Sequence, residues 1–190
     1  MNNRLKKYLI TDPSCYPRAG FERALAAAYA RHHPHYICLR DKANPRYKPL
    51  AKRFLCLSKR FRTRTILHDH WRLAKRLGAD GVHLSSAHAC EIARAKQAGL
   101  FVIASCHSEA EAATRVRKGA DLITLSPVFA TPHKGAAIGV QAIKSLKPTI
   151  RAKTVALGGI VGEEERFLLA DSGIYAFASI RYFTKDFRAV

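Results

Sequence analysis

Arg40 and Lys42 stand two residues apart in "CLRDK", the spacing that puts alternate side chains of an extended chain, Cys38 included, on one side. Arginine supplies a planar fork of donors and lysine a compact charge, so the pair suits a multiply charged anion such as a diphosphate. Lys134, in the glycine-containing stretch "SPVFATPHKG", offers a third cation. His68, His88, His107 and His133, together with Asp69, are candidate metal ligands of nitrogen-rich type. Each histidine reads more readily as a hydrogen-bonded rim residue, because isolated motifs of this kind have low specificity. His68 and His70 have a His-x-His spacing without a second pair to complete a metal site. Ser105, Cys106 and His107 are consecutive and form no nucleophile triad, since neighbours on a strand point to opposite faces.

The elements that must position these residues announce themselves by repetition. "GADGVHLS" from Gly78 returns as "GADLITLS" from Gly119, each time after a basic run of helical composition. Glycine closes a helix in the left-handed conformation, Ala-Asp makes a short turn, and the alternating apolar run that follows has the period of a strand. Each copy reads as the helix-to-strand joint of a β/α unit. Strand-like runs recur at "KYLITD", "HYICLR", "RTILHD", "GVHLS", "FVIASC", "LITLSPV", "KTVALGG" and "IYAFASI", with helix-like stretches between them. Eight such units predict an α/β fold, a single compact (β/α)8 TIM barrel, with an open doubly wound sheet as the alternative. Only "RYFTKDFRAV" follows the eighth strand, so the last helix is expected to be short or missing.

In a barrel the chemistry belongs at the C-terminal ends of the strands. That rule gathers Arg40, Lys42, His68, Asp69, Ser105 and Lys134 on one rim. It also places Gly158-Gly159 after the seventh strand and Ser179-Ile180 after the eighth, where barrels often hold a phosphate on backbone N–H groups.

With 190 residues, 48% of them hydrophobic, the chain is expected to form one domain over residues 1–190. No apolar run approaches the ~18 residues of a membrane span, and no signal-peptide pattern opens the chain, so a cytoplasmic protein is expected. Five cysteines without a Cys-x-x-Cys pair suit reduced thiols, most of them as small core residues. The net charge of +19 attracts polyanions of any kind. The basic residues are nonetheless spread over every helix-like stretch and form no arm, which favours solvated helix faces over a nucleic-acid partner.

Taken in order, "YLITDP", "CLRDK", "ILHDHWRLAKRLGADGVHLS", "SCHSEAEA", "ADLITLSPVFATPHKG" and "VALGGI" resemble the thiamin phosphate synthase and TenI superfamily, (β/α)8 barrels of vitamin B1 metabolism. The resemblance runs from Tyr8 to Ile180. It implies a transferase that joins hydroxymethylpyrimidine diphosphate to thiazole phosphate with release of pyrophosphate, using Mg2+ or Mn2+, in a barrel that suggests a homodimer. It assigns diphosphate binding to Arg40 and Lys42 and matches the family's catalytic lysine and serine to Lys134 and Ser105. The family's loop threonine matches Thr131, and its phosphate-holding backbone matches Gly159, Ser179 and Ile180. His68, His133 and Gly158 join the substrate-binding set, and Asp69 and His88 take the metal positions.

Three departures bear on the reaction. His68 replaces the synthase Asn before Asp69, His88 stands where the second metal-binding Asp is expected, and Cys38 replaces a common Gln. Magnesium prefers oxygen ligands, so His88 should weaken it. The TenI-type thiazole tautomerase keeps a catalytic His where this chain has Pro127. The alternatives are therefore a tautomerase or other thiazole-phosphate enzyme working through His107, His68 or His133, and a degenerate non-catalytic paralogue that binds phosphate or nucleic acid.

Overall fold

The structure is a computed structural model that describes residues 5–15, 20–132 and 134–184. Eight parallel strands, β1 (Lys6–Ile10), β2 (Tyr36–Leu39), β3 (Arg64–His68), β4 (Gly81–Leu84), β5 (Phe101–Cys106), β6 (Leu122–Leu125), β7 (Thr154–Leu157) and β8 (Ala176–Ser179), pair in chain order and close into a barrel. The ring is sealed by β1 against β8, with Lys6 opposite Ala176 and Leu9 opposite Ser179. Around it run α1 (Phe21–His32), α2 (Tyr47–Ser58), α3 (Trp71–Leu77), α4 (Ile92–Gln97), α5 (Glu109–Arg117), α6 (Gly139–Lys144), α7 (Pro148–Arg151), α8 (Glu163–Leu169) and α9 (Arg181–Thr184).

Two apolar layers follow from the strand period of two. Tyr8, Tyr36, Ile66, Ile103, Leu122 and Val155 point into the barrel, while Leu9, Ile37, Leu67, Val82, Val102 and Ile123 pack outward against the helices. The ring is narrow enough for side chains to fill it. No helix among the described residues is long and apolar enough to cross a membrane.

The repeated joint has a physical purpose. Gly78 ends α3 in the left-handed conformation, with φ of 72°, and Gly119 repeats it at 97°. The aspartate that follows reaches back to the preceding strand. Asp80 accepts hydrogen bonds from the Thr65 N–H at 2.7 Å and the Thr65 hydroxyl at 2.6 Å. Asp121 accepts from the Val102 N–H at 2.7 Å and from Lys96 Nζ. Each aspartate thus satisfies an amide near the start of the neighbouring strand and fixes the register of the pair.

Local chemistry explains most of the helix boundaries. Ser108 caps α5, its hydroxyl accepting from the Glu111 N–H at 3.2 Å, as the preference of serine for that position leads one to expect. Glu165 folds back to the Gly162 N–H at 2.8 Å and caps α8. The stretch read as one helix from His88 begins instead as a 3-10 segment, Ser86–Glu91, before α4. A short extra helix, α7, forms after Lys147 because Pro148 occupies its first turn, where a missing N–H costs nothing. α9 runs to Thr184, the last described residue, so the expected shortness of the final helix bears on residues outside the described ones. It seats Phe183 on Phe177, rings parallel and 5.9 Å apart, and brings both Tyr182 and Phe183 against His32 of α1.

The cysteines depart from expectation. Only Cys38 and Cys106 are buried, whereas Cys56 and Cys90 are exposed and Cys15 is half-buried. Cys56 and Cys90 lie on the solvent side of the helical layer, where a thiol has no packing role.

Replacing Asp80 by Ala should lower stability by ~1–2 kcal/mol, the cost of leaving the Thr65 amide without its acceptor. Asp171→Ala, at an exposed site, should stay within ~0.5 kcal/mol of the parent. Urea unfolding of both variants measures the difference.

Candidate functional site

At the C-terminal end of the barrel lies a cavity of about 570 Å3. Its walls bring together residues from all eight strand ends. Asp12 follows β1, Arg40 and Lys42 come from the loop after β2, His68 from the end of β3, and Ser85 from the end of β4. Ser105 and His107 belong to the end of β5, and Ser126, Pro127, Thr131 and Lys134 to the loop after β6. Gly158 and Gly159 follow β7, while Ser179 and Ile180 close the far side with Arg181. Sequence reasoning placed most of these residues together, and the fold brings them together. His133 lies outside the described residues.

Charge in the cavity is strongly one-sided. Arg40, Lys42, Lys134 and Arg181 line it, and the carboxylate of Asp12 pairs with Arg40 Nη1. Burial alone would raise the Asp12 pKa, but bonds from Ser14 and the Arg40 guanidinium outweigh it and hold the carboxyl below its usual range. Asp12 thereby aims the guanidinium while cancelling part of its charge. Lys42 and Lys134 are exposed at the mouth, where they can close on a bound anion.

The barrel floor holds a polar chain. His83, buried on β4, meets the Tyr8 hydroxyl through Nδ1 at 3.0 Å and Ser105 Oγ through Nε2 at 3.0 Å. Burial, reinforced by His68, pushes its pKa down to about 3, so the ring is neutral. Burial also holds the Tyr8 phenol protonated. With Tyr8 donating to Nδ1, Nε2–H donates to Ser105 Oγ, and the serine's own hydroxyl hydrogen is left for an acceptor in the cavity.

Gly158 and Gly159 are fixed by crowding as well as by conformation. Their φ angles are 97° and 71°, and a Cβ would lie 2.8 Å from Pro127 Cα and 2.6 Å from Phe129 Cβ respectively. The loop after β6 lies directly on the loop after β7, tied by the Phe129 N–H to the Gly158 carbonyl at 3.1 Å. Only glycine allows the two loops to meet. Ser179 engages its hydroxyl within the rim, donating to the Ile160 carbonyl at 2.6 Å and accepting from the Tyr182 N–H. It braces the rim, and only its backbone remains to face a ligand. Thr131 is similarly turned inward, donating to the Phe129 carbonyl at 3.0 Å.

Asp69 and His88 line a separate recess of about 340 Å3 beside the main cavity. Asp69 Oδ2 lies 3.0 Å from His68 Nδ1, and Oδ1 accepts the Ser85 N–H at 2.7 Å and faces His88 Nδ1 at 3.3 Å. Burial opposes charge on Asp69, yet the bonds from His68 and Ser85 prevail and keep it ionised well below the ordinary carboxylate range. Asp69 adopts φ of 58° to make these contacts. A magnesium ion needs oxygen ligands in near-octahedral order. Here a single carboxylate has both oxygens engaged, by two imidazoles and an amide, and the described residues contain no cluster of three potential ligands. The donor set does not fit a resident magnesium ion; Asp69 is instead the hub that holds His68, His88 and the Ser85 amide.

Sequence reasoning missed His83, Asp12 and Arg181. A signal for His83 existed, since the period of two along "GVHLS" puts Gly81, His83 and Ser85 on the inward face. A histidine inside an apolar barrel needs partners, and Tyr8 and Ser105 are those partners. His107 is fixed by donation from Nδ1 to the Ser126 carbonyl at 2.9 Å, which leaves Nε2 as its free ring nitrogen.

The depressed pKa of His83 has a definite sign. Between about 6.5 and about 3 the unfolded chain protonates this histidine and the folded protein does not, so stability falls as pH falls through that window. In His83→Asn, the slope of unfolding free energy against pH in that window should shrink by up to ~1.4 kcal/mol per pH unit, one proton's worth. Urea titrations at pH 6 and pH 4 measure it.

Comparison with known proteins agrees with this geometry. The thiamine monophosphate synthase family profile matches residues 7–183. A thiamine-phosphate synthase of Yersinia pestis is 35% identical over 134 residues, 67% of this chain and 62% of the relative. A Geobacter sulfurreducens protein provisionally named as a thiamine-phosphate synthase is 36% identical over 117 residues, 58% of this chain and 54% of the relative. These alignments thus span a little over half of the relatives' length. Thiamine phosphate pyrophosphorylase from Pyrococcus furiosus superposes with a TM-score of 0.79 at 25% identity, covering 99% of this chain and 96% of that one. The chain belongs to the thiamine monophosphate synthase family.

Proposed function

We propose that the protein is a thiamin phosphate synthase, joining hydroxymethylpyrimidine diphosphate to thiazole phosphate with release of pyrophosphate. The observation that carries this reading is the convergence of Arg40, Lys42, Lys134 and Arg181 on one cavity whose floor presents the Ser105 hydroxyl. In the reaction the bond between the pyrimidine methylene and the diphosphate oxygen breaks heterolytically. The electron pair leaves with the diphosphate, and the thiazole nitrogen lone pair forms the new C–N bond. Charge therefore gathers on the leaving group, and preorganised cations in a partly enclosed site stabilise it where it develops. Arg40, aimed by Asp12, and Lys42 meet that charge; Lys134 closes from the opposite loop and Ser105 donates its hydroxyl hydrogen. The backbone at Gly159 and Ile180 faces the phosphate of the second substrate.

No step of this reading requires Asp69 or His88 to hold a metal. The pairing of Asp69 with His68 and His88 supports a cavity that relies heavily on its own cations.

A second reading, a thiazole tautomerase, is favoured by His107, whose Nε2 is left free at the cavity wall to move a proton. Isomerisation of the thiazole carboxylate phosphate that disappears in His107→Gln while pyrophosphate release is absent would establish it.

Purified protein should form thiamin phosphate from the two phosphorylated halves, and Arg40→Ala should lower kcat by about 100-fold or more, the scale of one lost charge-stabilising donor. No product from folded protein with Mg2+, Mn2+ or chelator overturns the synthase reading. In His88→Asp, a second carboxylate joins Asp69 and activity should become more dependent on added Mg2+, whereas His88→Ala should show no such gain.

A further inference from the structure

The fold sorts the chain's glutamates by face, although cations stand on both ends. Each glutamate lies at or within the first turn of a helix, on the same end of the barrel as the cavity: Glu22 in α1, Glu91 before α4, Glu109 and Glu111 in α5, and Glu163, Glu164 and Glu165 in α8. The opposite end, where helices finish and strands begin, has the reverse character. Lys59, Arg60, Arg62 and Arg64 crowd the α2–β3 connection and are all exposed. Lys75 and Arg76 end α3, Arg117 and Lys118 end α5, and Lys144 and Lys147 flank the α6–α7 turn, again exposed.

Because the strands close in chain order, these connections are neighbours around one rim. Side chains bridge the gaps between them. Lys75 Nζ lies over Gly99 in the α4–β5 turn, 4.0 Å from where a Cβ would stand, and Lys96 packs beside Gly119 in the next. The described aspartates of this end are Asp80, Asp121 and Asp171, and two of them are already engaged inside the fold, Asp80 with Thr65 and Asp121 with Val102 and Lys96. The face is thus an arc of cations with little compensating charge.

Helix dipoles account for part of it, since a cation in the last turn offsets the dipole and Lys75, Arg76, Arg117 and Lys144 sit in such turns. They do not account for the α2–β3 connection, because α2 has no cation in its last turn and its four cations lie at or beyond the helix end. Like charges at such spacing repel, which disfavours the compact state. Arg64 is also braced, its guanidinium 4.3 Å from the Phe101 ring centroid, so its fork is presented in a fixed plane.

We propose that this N-terminal face of the barrel, from the α2–β3 connection to the α6–α7 turn, is a docking surface for the phosphate backbone of nucleic acid. An anionic membrane fits less well. Membrane-surface binding adds apolar side chains to the basic ones, and the exposed large apolar residues of the described chain, Phe167 and Leu168, lie in the second half of α8, beyond the α6–α7 turn at which the arc ends. The contact is read by charge, so it discriminates little between sequences, and it is remote from the catalytic cavity.

The test uses the full chain and fluorescein-labelled RNA of about 20 nucleotides, single-stranded and duplex, with duplex DNA alongside. Anisotropy should give half-saturation between ~1 and ~100 μM near physiological salt, weakening steeply as salt rises. Reversing four cations of the arc, Arg60→Glu, Arg62→Glu, Lys75→Glu and Arg117→Glu, should weaken binding at least tenfold and flatten the salt dependence. Reversing Arg23, Arg46, Lys48 and Lys52 to Glu, an equal charge change away from the arc, should cost less than threefold. Circular dichroism checks folding, and the same positions changed to Gln carry the comparison if the Glu set unfolds. Absence of binding by the parent protein overturns the proposal. So does equal weakening by the two sets, or sedimentation with phosphatidylserine vesicles in place of RNA or DNA retention.

Discussion

In a closed ring of parallel strands, every backbone amide and carbonyl is satisfied only by its two neighbours, so all strands run the same way and finish on the same rim. The rest of the structure depends on that closure. It brings Asp12 beside Arg40, Ser105 into the same cavity, and the Gly158-Gly159 loop against Pro127 and Phe129, although these residues lie far apart in the chain. It also forces each helix to return antiparallel to its strands, which sends helix starts to the cavity end and helix finishes to the other. The chemistry of one end and the charge of the other are consequences of the same geometry.

Within the cavity, charge is managed by hydrogen bonds as much as by ion pairs. Asp69 remains ionised because His68 and the Ser85 amide bond it, and His83 remains neutral because burial outweighs everything that would charge it. The two neighbouring groups therefore hold opposite kinds of charge state over the same pH range. A neutral histidine can pass a preference for hydrogen-bond direction from Tyr8 to Ser105 without adding another cation to the floor. The positive charge of the site stays at the mouth, on flexible lysines and an anchored arginine.

Much of this was readable from residue order. The Gly-Ala-Asp joint, the eight strand-like runs and the brief tail after the last strand specify the barrel, because the periods of strand and helix differ and glycine marks the joints. Arg40, Lys42, Ser105 and Lys134 were legible through the rule that places chemistry at strand ends. His83 was signalled by the period of two along its strand, but its partners Tyr8 and Ser105 come from other strands and only the closed ring brings them to it. Asp12 was hidden because it acts through Arg40, supplied by another unit. The engaged state of Ser179 and Thr131 depends on loop geometry that spacing does not encode. The gathering of cations at one end was invisible for a related reason: along the chain they alternate with everything else, and only the ring makes them adjacent.

The seam between β8 and β1 stands apart from the other joints. Every other strand pair is adjacent in the chain, and two of them are fastened further by Asp80 and Asp121, whereas the seam unites Lys6–Leu9 with Ala176–Ser179 across nearly the whole polypeptide. Loop-closure entropy grows slowly with length, so a tenfold longer loop costs only about 2 kcal/mol more. Opening that seam, however, would bare two strand edges at once, each a template for pairing with another chain. The four residues of α9 lie across this weak point, with Phe183 on Phe177 of β8 and both Tyr182 and Phe183 on His32 of α1. This helix is therefore a latch, and its aromatic side chains guard the protein against aggregation as much as they complete its core.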